Sequence, residues 1–151
     1  MTSSGVHVAQ INVARMLAPL DDASMAGFVA ALDEVNAIAD ASPGFVWRLQ
    51  TEEGNATFIR PFDDDLVLVN MSVWQSLDDL RAFVYHSAHS DILRCRLQWF
   101  ERPSRAHVAV WWVPAGHIPT LEDGVRRLAY LQERGPSAAV FPLTQPFPAE
   151  A

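Results

Sequence analysis

LVLVNMSVW, residues 66–74, is the stretch whose reading decides the fold. As a strand it puts Val67, Val69, Met71 and Val73 on one face and Leu66, Leu68, Asn70, Ser72 and Trp74 on the other. A run apolar on both faces implies a central strand covered on both sides. Helices supply one cover. The other requires more protein, most economically a second copy of the chain. Asn70 and Ser72 interrupt the second face, as a binding site would and as a satisfied buried pair also would.

Upstream, VHVAQINVA (6–14) alternates as a strand, with Val6, Val8, Gln10 and Asn12 on one face and His7, Ala9, Ile11 and Val13 on the other. Asp21, Asp22 or Ser24 is placed to cap a helix whose apolar stripe is Met25, Phe28, Val29, Leu32, Val35 and Ala39. Ser42-Pro43-Gly44 stops it. Phe45 to Gln50 reads as a strand with Phe45, Trp47 and Leu49 on one side, followed by a turn at 52–55 and a hairpin arm at 57–60. The polar loop 61–65 has three aspartates but lacks the spacing and glycine of a calcium loop.

Downstream, Ser76 with Asp79 opens a helix built on Leu77, Leu80, Phe83 and Val84. Ser87 is placed to cap a second piece, with Leu93, Leu97 and Phe100 inward. Val108 to Val113 is a strand whose neighbours Trp111 and Trp112 point to opposite faces. Thr120 and Asp123 begin a last helix with Leu121, Val125 and Leu128 buried, and Gly135-Pro136 ends it. Residues 138–141 suit a short final strand, and the Pro-rich tail 142–151 is expected to lie along the surface. This order is that of an α+β, ferredoxin-like βαββαβ antiparallel sheet. Its two helices lie on one face, and a C-terminal helix is added. The chain reads as one domain, 1–151, with its core at 6–141.

Half of the 151 residues are hydrophobic, the formal charge is −7 and the pI about 5.0. An acidic balance argues against nucleic acid as a partner, although Arg94, Arg96, Arg102 and Arg105 form a local basic group. Cys95 is alone, so it makes no internal disulfide. No apolar run reaches the ~20 residues of a membrane span, and no signal peptide is evident. A cytoplasmic protein that contacts no membrane is the expectation.

The runs FVWRLQTEEGNATFI (45–59), NMSVWQSLDDLRAFVYHSAHSDILRCRLQWF (70–100) and WWVPAGHIPTLEDGVRRLAYLQERGPSAAVF (111–141) resemble the DUF3291 family. That family is similar in turn to the dimeric α/β-barrel superfamily, which includes antibiotic biosynthesis monooxygenases. The resemblance implies a homodimer whose two sheets close into a barrel. It also implies a pocket between each sheet and its helices, with no settled reaction.

Candidate chemistry follows from side chains. His86 and His89 share a face if the helix is continuous, and would serve as proton acceptor and donor. Two histidines with Asp91 nearby make a poor metal site, so no metal is expected. Asn12, Asn70 and Arg96 are the polar candidates for substrate binding, and Trp74, Trp99, Trp111 and Trp112 the aromatic walls. The plain alternative is that the tryptophans are core and the histidines solvated. Neither a phosphate loop nor a nucleophile elbow occurs.

The first functional reading is a cofactor-independent, monooxygenase-like enzyme acting on a phenolic or polycyclic molecule. A cyclase or isomerase would use the same pocket. A haem protein would need His86, His89 or His117 as axial ligand. A dimer that binds a small molecule without catalysis completes the set.

Overall fold

The computed structural model describes residues 5–50, 64, 66–86, 96–103 and 105–149, with His86 described by its backbone alone. The turn at 52–55, the arm at 57–60 and the Ser87, Asp91, Leu93, Arg94 and Cys95 assignments lie outside these residues.

Four strands, β1 (Val6–Arg15), β2 (Phe45–Arg48), β3 (Val67–Trp74) and β4 (Val108–Pro114), form one sheet in the order β2-β3-β1-β4. All its pairings are antiparallel. That order is the ferredoxin-like one. Among the described residues the longer helices are α1 (Ala26–Ala41), α2 (Leu77–His86) and α3 (Leu121–Arg134).

Local chemistry sets the helix ends. The Asp22 carboxylate accepts from Ser24 N at 2.9 Å and caps the 3-10 turn Ala23–Met25 that leads into α1. Ser76 Oγ accepts from Asp79 N at 3.1 Å before α2. Thr120 and Asp123 make a full capping box on α3. Gly44, at φ +79°, closes the turn after α1, and a Cβ there would overlap the Asp79 carboxylate. In α1 the stripe is narrower than the spacing predicts, because Val29 is exposed.

The sheet has two unlike faces. On one, Ala9, Ile11, Val69, Met71, Val73, Ala109, Trp111 and Val113 meet Leu128 and Leu131 of α3. A Cβ on Gly124 would lie 2.9 Å from Met71 Sδ and 3.0 Å from Ile11 Cδ1, so α3 sits as low as a glycine allows. The added helix therefore covers a face that sequence reasoning gave to a second copy of the chain. On the other face, Val8, Trp74 and Val110 meet Ala39 of α1 and Leu80 of α2.

Two further differences from the sequence reading matter. A register shift between Phe45 and Trp47 puts Phe45 opposite Trp74, while Trp47 and Leu49 pack into the α3-side core. The tail does not merely run over the surface. Of the expected strand 138–141, Phe141 makes an isolated bridge by exchanging backbone hydrogen bonds with Val110 (2.8 and 2.9 Å), and in the tail Leu143 is buried in the α2-side core. Arg81 Nη2 donates to Leu143 O (3.1 Å) and Trp112 Nε1 to Phe147 O (2.9 Å). A Pro-rich segment cannot donate regularly to a ladder, so its carbonyls are taken by side-chain donors.

Candidate functional site

The face under α1 and α2 carries the polar interruptions of β1 and β3 at matched positions. Register places Gln10 opposite Ser72 and Asn12 opposite Asn70. Antiparallel partners on one face are near enough for side chains to bond. Gln10 Nε2 donates to Ser72 Oγ at 2.8 Å and to Asn70 Oδ1 at 3.1 Å. Asn12 Nδ2 donates to Gln10 Oε1 at 2.9 Å, and Trp74 Nε1 donates to Ser72 Oγ at 2.9 Å. The four strand side chains and the indole thus form one chain of hydrogen bonds, with Gln10 and Ser72 buried.

Counting protons shows what the chain leaves unspent. Gln10 uses both amide protons within it. Ser72 Oγ accepts twice, which fills its lone pairs and leaves its own proton as a donor. Neither that proton nor the Asn70 amide protons have an acceptor among the described residues. Asn70 and Asn12 are half-buried rather than sealed.

These groups line a cavity of about 1640 Å³. Phe28, Leu32 and Val35 of α1 and Leu80 and Phe83 of α2 form its apolar roof, and Trp74 part of its floor. Trp74 is fully buried, stacked on Phe83 (centroids 5.1 Å, 25°) and met edge-on by Phe45 (5.5 Å, 80°). The lining also includes Val125, Leu128 and Gln132 of α3.

The candidate side chains divide on inspection. Asn12, Asn70, Trp74 and Arg96 all line the cavity. Trp111 lies on the opposite face, buried beneath the guanidinium of Arg127. Trp112 spends its N–H on the tail, and Trp99 packs on Phe28 and Gly27. None of the three belongs to the lining of this cavity. His86 ends α2 with its side chain undescribed, and His89 lies outside the described residues. His117 is exposed in the turn after β4 and does not belong to the cavity lining. Among the described residues no group of three or more His, Cys, Asp or Glu could hold a metal ion.

Gln10, Ser72 and Arg48 are among the cavity residues that the substrate-binding candidates did not include. Gln10 and Ser72 were visible as polar breaks in apolar strands, but only the register joins them. Arg48 had no signal. It is nine-tenths buried, sits opposite Ser72 and bonds Asp40 of α1 through Nε–Oδ1 (2.7 Å) and Nη2–Oδ2 (3.2 Å). His107, also in the lining, has its pKa lowered first by burial and then by the charge of Arg96, although its side chain reaches solvent.

Three solved structures are similar to this chain. A protein of unknown function from Nitrosomonas europaea is 13% identical, with 78% of this chain and 99% of that one covered and a TM-score of 0.47. The cofactor-independent oxygenase SnoaB from Streptomyces nogalater is 17% identical over 76% and 96%, at 0.46. A dabb family protein with a ferredoxin-like fold from Mesorhizobium loti is 11% identical over 77% and 98%, at 0.42. No curated protein matches. No helix among the described residues is long and apolar enough to cross a membrane. Residues 7–151 match the family model described as a domain of unknown function, DUF3291, and the chain belongs to that family.

Proposed function

We propose that the protein is a small-molecule enzyme. It would hold a flat phenolic or polycyclic molecule between β1/β3 and the helices α1 and α2, and work on it without metal or flavin. One observation carries the reading: the network in which Gln10 joins Asn12, Ser72 and Asn70 stands on the cavity face with donors still unspent. Asn70 is half-buried and lines the cavity, so its amide protons are open to a ligand there as well as to water. Donors fixed in a mostly apolar space suit an oxygen that gains negative charge, such as a phenolate or enolate oxygen.

In this scheme His86 or His89 takes the proton from the substrate. Asn70 and Ser72 hold the resulting oxyanion, and Trp74, its indole N–H tied to Ser72, serves as a fixed aromatic surface. Arg96 adds positive charge from the cavity lining. All four electrons that reduce dioxygen come from the substrate: a CH2 beside the phenolate or enolate becomes a carbonyl that keeps one oxygen atom, and the other leaves as water. SnoaB, named above, is described as a cofactor-independent oxygenase. A homodimer remains part of the proposal. Because α3 covers β1 and β4, its surface would lie toward β2, where Trp47 and Leu49 are only partly buried.

Oxygen uptake with a panel of phenolic substrates tests the reaction. Uptake with product supports the oxygenase reading. Product without uptake replaces it with a cyclase or isomerase. Binding without product in any condition makes the protein a carrier. His86→Ala and His89→Ala should each be assayed, and full turnover in both removes histidine from the scheme. A Soret band on titration with haem would redirect the whole reading toward haem chemistry. Sedimentation velocity decides the dimer.

A further inference from the structure

The cavity has a cationic end in a protein whose formal charge is −7. Arg96, Arg102, Arg105 and His107 fall within twelve residues of sequence, and all four belong to the lining. Main-chain bonds hold this segment along the end of β1. Leu17 N donates to Trp99 O (2.8 Å), Glu101 N to Arg15 O (2.9 Å) and Val13 N to His107 O (3.0 Å). The described lining holds three carboxylates, two of them engaged by Arg15. Asp64 accepts from Arg15 Nε at 2.7 Å, and Glu101 accepts from the same guanidinium. Glu133 of α3 is the remaining carboxylate among the described lining residues. The proton affinity of His107 is lowered by burial and then by Arg96, which fits a local positive potential.

Positive charge at the mouth of a cleft with low-dielectric walls concentrates anions there. Guanidinium groups also suit planar acidic groups, which they can grip with two parallel hydrogen bonds. We infer that the ligand is an amphiphilic anion. Its apolar body would lie between the sheet and α1/α2, and its carboxylate or similar acidic group would lie at the arginine end. The inference deepens the small-molecule reading above and rests on it.

Two fluorescent probes with the same aromatic skeleton test it on the full chain: anilinonaphthalene sulfonate, which is anionic, and phenylnaphthylamine, which is neutral. At low salt the anionic probe should bind about tenfold more tightly, and the gap should shrink as salt screens the arginines. The paired change Arg102→Gln and Arg105→Gln should weaken the anionic probe by about threefold or more while the neutral probe is unchanged, which also shows that the variant is folded. Equal affinities, or a preference for the neutral probe, overturn the anionic ligand and leave the cavity reading standing. Failure of both probes to bind, or binding of both that survives Val35→Trp at the cavity wall, overturns the cavity reading and this inference with it.

Discussion

The two faces of one sheet have been put to different uses. β1 sends Ala9, Ile11 and Val13 to the α3 side and Val8, Gln10 and Asn12 to the other, from the same ten residues. On the α3 side the packing closes until a glycine is needed at the contact. On the α1/α2 side the same strands keep polar groups with unspent hydrogen-bond donors that line the cavity. Pleating alone permits this division, because successive side chains must point opposite ways. Stability should therefore be concentrated on one side and ligand chemistry on the other.

That contrast can be broken experimentally. Trp111→Ala, on the closed face, should cost about 3–5 kcal/mol of stability through the lost burial and the cavity left behind. Denaturant unfolding would measure it, and a small loss accompanied by failed ligand binding would show that the faces are not divided as described. Gly124→Val should cost about 1–3 kcal/mol by overpacking against Ile11 and Met71. Pairing it with Met71→Ala should recover part of that loss if the contact is the cause.

The cavity face should behave in the opposite way. Asn70→Leu removes one acceptor of Gln10 and should change stability by about 0.5–1.5 kcal/mol. Its main effect should be on turnover or ligand affinity, measured with the same substrate panel. A variant that binds and turns over as well as the parent would mark the network as structural.

The smallest effect concerns pH. The folded-state pKa of His107 is lowered, by burial and then by Arg96, so the unfolded chain binds more protons in the window between the two pKa values. Stability should rise with pH there, and the contribution should be lost as acid takes the protein below the ordinary histidine range. Thermal melts across that window should show a shallower slope for His107→Gln. An unchanged slope would place the pH sensitivity elsewhere.

Much of the fold was legible because local signals agreed. The Ser76 cap, the Thr120–Asp123 box, the stop at Ser42-Pro43-Gly44 and the opposed Trp111 and Trp112 all read directly from spacing, and the structure places them so. The site was legible only in part. Polar residues at Gln10, Asn12, Asn70 and Ser72 were conspicuous in apolar strands, but a satisfied pair and a binding surface look alike until their partners are known. Arg48 gave no warning, because its burial depends on pairing with Asp40 eight residues earlier across a turn.

From sequence alone came the strand with two apolar faces, the βαββαβ order and the need for a second cover. These follow from side-chain periodicity, which is a property of neighbouring residues. Which protein supplies that cover, which tryptophan reaches the cavity and which amide meets which hydroxyl were decided by strand register and by where α3 came to rest. Those depend on contacts between residues some sixty positions apart, such as Gln10 with Ser72, and no local pattern encodes them.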